Sequence, residues 1–335
     1  TEVLAIGSRT IESANKFADR WSVLRRYASY EEAASDADVH VVYIATPSLR
    51  HPTDCKMALG HGKAVLCEKS MAPSYDVGKE VIQMAMDKKL LFVHAVWSRF
   101  FPAMDKLRSL IEEGAVGDVK SARVSFCQND GAGSCSALLE TGIYCAQFLQ
   151  WVLRPLSSEK EQEAAKKGVV VRGACRTVHP ETKHDTHVSA LLEFPFGRTG
   201  TFECSLAHAS ERSAVVYGTG GIIEIPFPFW CPTKLVVTKM SGQASQTWEE
   251  PVVYDFDLPE GVKALPISKP TKEGDVDGVV PGFHFVNSEG LTYEAAEVNR
   301  CVREGLTESP SFTSEECLDI LRIISDIDAM SRANE

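Results

Sequence analysis

The sequence predicts an α/β chain in two parts: a doubly wound parallel sheet, then an α+β half built on a large, open, mostly antiparallel sheet. Three observations predict it. Short apolar runs alternate with helical periodicity as far as Glu113, strands cluster between Val169 and Met240, and two apolar-striped helices close the chain. Strands separated by crossover helices make parallel sheets, whereas strands joined by tight turns make antiparallel ones.

The first part starts inside the apolar run Val3-Leu4-Ala5-Ile6, which ends in Gly7-Ser8-Arg9 and reads as a strand. Helical periodicity follows over Ile11 to Ala18, then a strand at Val39 to Ala45, a helix over Asp54 to Leu59 and a strand at Ala64 to Cys67. An amphipathic helix over Ser74 to Lys88, a strand at Leu90 to Ala95 and a helix over Met104 to Glu113 complete the alternation. After Gly117 the rhythm changes: Val119 to Cys127 alternates as a strand and Ala137 to Leu153 is helical. Strands are then expected at Val169 to Cys175, Val188 to Phe194, Thr199 to Ala207, Ala214 to Tyr217, Ile222 to Ile225 and Leu235 to Met240. Phe196-Gly197 and Gly220-Gly221 are hairpin signals. Leu291 to Glu304 and Ser314 to Met330 carry apolar stripes at three-four spacing, while Glu159 to Lys167 and Pro259 to Val280 read as surface excursions. The boundary falls near Val96 to Pro102, giving domains 1–98 and 99–335, with helix 137–153 packing back across it and a ligand cleft between them.

Composition narrows the functions. A chain of 335 residues, 44% hydrophobic and 24% charged, has the make-up of a folded two-domain protein. Its net charge of -11 argues against nucleic acid, whose binding rests on clustered cations, and Lys88-Lys89 and Lys166-Lys167 are too short for such a patch. The sequence has neither an 18-residue apolar run nor a charged-then-apolar start, so no membrane span and no secretory signal are expected. Ten cysteines scattered from Cys55 to Cys317 without a CxxC pair point to a reduced, cytosol-like compartment. Cys127, Cys135 and Cys145 are close in sequence, but their small or apolar neighbours read them as buried thiols, and no metal is expected.

A dinucleotide site needs a ribose-reading residue at the end of its second strand. Ser8-Arg9-Thr10 stand there, hydroxyls and a guanidinium that suit a 2'-phosphate and favour NADP over NAD, although no GxGxxG lies in the first 40 residues. Thr46-Pro47 and His51, in the loop after the next strand, border the crevice at the carboxyl edge of the sheet. Val65-Leu66-Cys67-Glu68-Lys69-Ser70 runs an apolar strand into a carboxylate and an ammonium at the same edge. Glu140 and Tyr144 share a helical face at four-residue spacing. Each also has a plainer reading: Arg9 as a surface cation, His51 as an exposed loop histidine, Glu68 and Lys69 as a solvated turn pair, Tyr144 as a core ring.

Together these segments resemble the glucose-fructose oxidoreductase and inositol dehydrogenase (Gfo/Idh/MocA) family, and within it the dihydrodiol and D-xylose dehydrogenase branch. The likeness spans nearly the whole chain and is carried by Tyr27-Ala28-Ser29-Tyr30-Glu31-Glu32, Ala64 to Lys69, Ala95-Val96-Trp97-Ser98-Arg99-Phe100-Phe101-Pro102 and Gly142-Ile143-Tyr144-Cys145. Trp230-Cys231-Pro232-Thr233, Tyr293-Glu294-Ala295 and Cys301 to Pro310 extend it. The resemblance implies a Rossmann-like first domain and hydride transfer between NADP and a sugar or cyclic diol. It implies Lys69 as catalytic lysine and Tyr144 as acid/base, a nearby ammonium favouring the tyrosinate. It assigns Ser8, Arg9, Thr10, Thr46, Pro47, His51, Glu68, Lys69, Trp97 and Arg99 to the cofactor, and Phe101, Glu140, Tyr144 and Trp230 to the substrate. It also implies a homodimer through the open sheet face, where Leu235-Val236-Val237 and Ile222-Ile223 leave little polar surface.

Four departures accompany it. The opening strand and glycine-rich turn are expected ahead of Thr1, where any targeting residues would also lie. Ser70 stands where the family usually has Pro, often after a cis peptide that aims the lysine, so Lys69 is expected to point differently. Glu140 replaces the usual Asp, and residues 129–136 are shorter than the loop expected to enclose the substrate. These leave open a second reading, a non-catalytic structural or regulatory subunit of a larger assembly, and a third, a cofactor-binding sensor without turnover.

Overall fold

The computed structural model describes residues 2–129, 131–154, 168–241, 247–260 and 286–333. The excursion at Glu159 to Lys167, the Lys166-Lys167 pair, Asp130 and the second excursion beyond Glu260 lie outside them. The chain divides into two compact units, Thr1–Ala72 with Asp76–Ala95 and Pro259–Ser314, and Pro73–Tyr75 with Val96–Leu258 and Glu315–Glu335.

The first unit alternates β1 (Ala5–Gly7), α1 (Ile11–Trp21), β2 (Arg25–Tyr27), α2 (Tyr30–Ser35), β3 (Val41–Ile44), α3 (His51–Gly60), β4 (Ala64–Glu68), α4 (Tyr75–Lys88) and β5 (Phe92–Ala95). Every pairing is parallel, in a two-stranded sheet β1-β2 and a three-stranded sheet β3-β4-β5. β4 and β5 are buried almost throughout, so both read as near-continuous apolar runs rather than alternating ones. The unexpected α2 starts from a capping arrangement: Ser29 Oγ accepts from Glu32 N at 3.1 Å while Glu32 Oε2 accepts from Ala28 N at 3.1 Å. That Ser-x-x-Glu spacing was present in the sequence as a helix-start signal. The later helix α7 (Leu291–Glu304) ends at Gly305, whose φ of 67° is the left-handed geometry that releases a helix.

The second unit is built on eight strands, β6 (Val119–Cys127), β7 (Val170–Val178), β8 (Asp185–Phe194), β9 (Arg198–Ser205), β10 (Ala214–Gly218), β11 (Gly221–Ile225), β12 (Lys234–Lys239) and β13 (Val252–Asp255). Their order is β13-β12-β11-β10-β6-β9-β8-β7, antiparallel throughout except for the parallel pair β6-β9. Helices α5 (Pro102–Glu112), α6 (Ile143–Leu153) and α8 (Ser314–Ala333) accompany it. α6 packs on β6 and β9 with every residue buried, as its charge-free sequence demands. Gly200 permits this approach, since a Cβ there would stand 2.9 Å from Leu149 Cδ1. The helix expected from Ala137 begins as a π turn, Leu138–Gly142, whose Leu138 N donates to the buried Asp185 carboxylate at 2.7 Å.

Among the described residues no helix is long and apolar enough to cross a membrane. All ten cysteines are free thiols.

Candidate functional site

In the first unit, the expected residues sit at the carboxyl ends of the parallel strands. Ser8, Arg9 and Thr10 follow β1: Ser8 N donates to Tyr27 O at 3.2 Å, Arg9 is exposed, and Thr10 Oγ1 caps α1 by accepting from Ser13 N at 3.2 Å. Thr46 and Pro47 follow β3, and Thr46 Oγ1 donates to Asp54 Oδ2 at 2.7 Å. His51 is not an exposed loop residue. It is 1% exposed, with Nε2 2.7 Å from Thr46 O and Nδ1 2.9 Å from Ser70 O, so one imidazole ties the loop after β3 to the segment after β4.

That segment carries Glu68 and Lys69, both half-buried. Glu68 accepts from the Tyr43 hydroxyl through Oε1 and from Lys69 N through Oε2 at 3.2 Å. The Lys69-Ser70 peptide bond is cis, as the family pattern has it before Pro. Ser70 Oγ donates to Ala72 O at 2.8 Å, and Met71 N donates to His94 Nε2 at 3.2 Å.

Two residues to which the sequence reading gave no role stand beside this segment. His94 is completely buried, and burial first, then the neighbouring His51, bring its imidazole down to about 3, so it stays neutral. Because Nε2 accepts from Met71 N, the ring hydrogen sits on Nδ1, which has no partner among the described residues. Glu294, on α7, is 2% exposed, and its Oε2 has no hydrogen-bond partner among the described residues. Burial, then the charge of Glu68, push its carboxyl well above the usual range, which favours its protonated form. The signal for His94 was a lone polar residue inside the apolar run Phe92-Val93-His94-Ala95.

In the second unit an aromatic cluster surrounds Tyr144. The ring is 7% exposed and tilts against Phe126 at 5.6 Å, and Phe126 stacks on Trp230 at 4.2 Å. Trp97 Nε1 donates to Tyr144 Oη at 3.0 Å, while Phe101 meets the Trp97 indole edge-on at 5.4 Å. The structure therefore brings Trp97, Phe101, Tyr144 and Trp230 together. Glu140 lies half-buried in the π turn, where bonds close from i to i+5, so the one-face argument for Glu140 and Tyr144, which assumed α-helical pitch, does not carry through.

Arg99 is engaged elsewhere. Its guanidinium lies 3.6 Å from the Trp151 ring centroid, pairs with Glu316 and reaches Gln150 Oε1 at 3.4 Å. Burial, opposed by Glu316, brings it down to about 10.

A last group was not anticipated, because its members are far apart in sequence. Cys127, Glu203 and His208 bring a sulfur, a carboxylate oxygen and an imidazole nitrogen within 4.8 Å of one another.

Comparison with known proteins places these features in context. A family profile described as "Oxidoreductase family, NAD-binding Rossmann fold" matches residues 1–95, and one described as "GFO/IDH/MocA C-terminal domain" matches residues 104–224. Trans-1,2-dihydrobenzene-1,2-diol dehydrogenase of Oryctolagus cuniculus is 33% identical, covering 97% of this chain and 89% of that one. The Homo sapiens enzyme of the same name is 32% identical over 97% and 87%. Among solved structures, a 3-ketoreductase from Actinomadura kijaniata, in complex with TDP-benzene and NADP, superposes with a TM-score of 0.76 at 20% identity, covering 98% of this chain and 89% of that one. An aldose-aldose oxidoreductase from Caulobacter crescentus gives 0.74 at 17%, over 100% and 90%.

Proposed function

Because the chain belongs to the GFO/IDH/MocA family of oxidoreductases, we propose that it oxidises a secondary hydroxyl of a cyclic trans-diol or sugar, or reduces the matching carbonyl, with NADP. The observation that carries this is Tyr144, a nearly buried phenol in an aromatic enclosure with the Trp97 N–H fixed on its oxygen at 3.0 Å. That contact makes the oxygen an acceptor toward the indole and turns its own hydrogen away from it.

The residues at the strand ends fit the cofactor by their chemistry. An exposed guanidinium at Arg9 beside the Ser8 hydroxyl suits a 2'-phosphate. Thr46, Pro47, Glu68 and Lys69 lie at the carboxyl ends of parallel strands, the usual place for a dinucleotide. The nicotinamide, when bound, supplies the hydride acceptor or donor. Tyr144 takes the proton of the substrate hydroxyl in oxidation and returns it in reduction. Lys69, following β4, brings an ammonium that suits an oxygen on which negative charge develops. His51 is a positioning residue, holding the backbone after β4 from which Lys69 projects, and Phe101, Glu140 and Trp230 bound the substrate. Arg99, with its partners Glu316 and Gln150, acts as a structural support for Trp97 two residues away. The relatives named dihydrodiol dehydrogenases support the substrate class.

The open face of the eight-stranded sheet supports a homodimer. Directly paired residues share a face, and one row across the sheet reads Leu191, Thr201, Arg123, Val215, Glu224, Val236, Val253. Leu191 and Val253 in that row are 42% and 49% exposed.

The test follows nicotinamide absorbance with the purified chain, NADP or NAD, and a panel of aldoses and cyclic trans-dihydrodiols. Turnover is expected with NADP ahead of NAD. Tyr144→Phe and Lys69→Met should each lower kcat by about a hundredfold or more while NADPH still quenches tryptophan fluorescence. Full activity in either variant, or a wild-type chain that NADPH does not quench, would refute the assignment.

A further inference from the structure

The group formed by Cys127, Glu203 and His208 has no part in the proposed reaction, and its donor atoms lie close enough together to hold a metal ion. Strand register builds most of it. His187, Ser205 and Cys127 are paired across β8, β9 and β6, and Glu203 lies two residues before Ser205, so His187, Glu203 and Cys127 share the sheet face opposite α6. The chain after β9 then folds back over Cys127: Cys127 N donates to Ser210 Oγ at 3.1 Å and Ser210 N donates to Cys127 O at 3.1 Å, which brings in His208. His187 Nε2 is 3.0 Å and His208 Nε2 3.3 Å from the same oxygen, Glu203 Oε1. Ligand atoms around a tetrahedral zinc ion with bonds of about 2.0–2.3 Å stand about 3.3–3.6 Å apart. The cluster is within a few tenths of an ångström of that spacing at its imidazole and carboxylate corners.

A second observation bears on how the His208 ring is held. Ser205 Oγ gives its single hydrogen to Thr186 O at 3.0 Å and accepts from Ala207 N at 3.0 Å. His208 Nδ1 lies 3.0 Å from the same hydroxyl, which holds the ring in place. With Nδ1 held there, Nε2 is turned toward Glu203 Oε1 at 3.3 Å. A metal-bound histidine has this arrangement, one nitrogen on the ion and the other donating to an outer partner.

We propose that Cys127 Sγ, Glu203 Oε1 and His208 Nε2 bind one zinc ion that pins the loop after β9 to the sheet, with His187 beside it on the same Glu203 oxygen and on Ser189 Oγ. Thiolate and imidazole donors together select zinc over magnesium or calcium. Three protein ligands leave the fourth corner of the tetrahedron to water, and binding releases the Cys127 thiol proton to solvent.

The full chain, stripped with chelator, is titrated with Co²⁺ and then Zn²⁺. One equivalent of cobalt should produce visible bands of tetrahedral intensity with a thiolate-to-cobalt charge-transfer band in the near ultraviolet. One equivalent of zinc should abolish both and raise the thermal unfolding midpoint. Cys127→Ser should remove the charge-transfer band. His208→Ala, a change on an exposed loop, should weaken zinc binding more than about tenfold. Cys175→Ser, an exposed thiol two strands from Glu203, should leave the spectrum unchanged. The proposal is overturned if no saturable cobalt spectrum forms at one equivalent, or if the spectrum survives both Cys127→Ser and His208→Ala. Either outcome leaves an imidazolium–carboxylate cluster without a metal.

Discussion

Tyr144 and Trp97 act as a pair, and the pair can be dissected. Trp97→Phe keeps an aromatic ring against Phe101 but removes the N–H that holds Tyr144 Oη. A hydrogen bond to a group that carries charge during reaction contributes about 1.5–3 kcal/mol, equivalent to roughly ten- to hundredfold in rate. The variant should therefore lose kcat by that factor with KM nearly unchanged, and a rise in KM at constant kcat would mean that Trp97 only packs. Lys69 and Tyr144 were legible only through the family register, because a strand-end lysine and a helix tyrosine are common on any α/β chain. His94 left only the trace of a lone polar residue in an apolar run, and the buried state of neither His94 nor Glu294 was legible, since it depends on burial and on neighbours distant in sequence.

Whole strands and helices were the easiest features to read where burial imposes a pattern. Val119–Cys127 and Leu291–Glu304 fall where alternation and three-four spacing put them. The short β2 and α2, three and six residues long, and β13 escaped because so few residues define no period. The π turn ahead of α6 escaped for another reason: it is set by Asp185, which accepts from Leu138 N across 47 residues of sequence. Long-range pairing of this kind also governs α8, whose Glu316 meets Arg99 and Arg154. The Arg99 side chain is fully buried and that of Glu316 10% exposed, whereas Arg154 is 32% exposed. Removing the carboxylate strands a buried cation, at a cost of about 3–5 kcal/mol, while removing the exposed arginine should cost about 1 kcal/mol or less. Urea unfolding should thus find Glu316→Ala far more damaging than Arg154→Ala. Equal midpoints for the two would show that the buried pair contributes nothing special.

At the scale of the whole molecule, the proposed association would rest on one sheet face and on net charge. The row from Leu191 to Val253 puts apolar side chains at both ends of the face and at Val215 and Val236 between them. A face with Leu191 at 42% and Val253 at 49% exposure gains by being covered. Yet each chain carries a net charge of -11, so two copies repel at long range. Apolar contact opposed by screened repulsion has a signature: raising salt should strengthen the dimer rather than dissolve it. Light scattering at micromolar concentration should give twice the 36.7 kDa chain mass. Leu191→Glu, which adds a charge to the middle of strand β8 without touching the α6 side, should return monomers with an unchanged circular dichroism spectrum. A wild-type monomer under these conditions, or a dimer that weakens as salt rises, would show that this face is not where two copies meet.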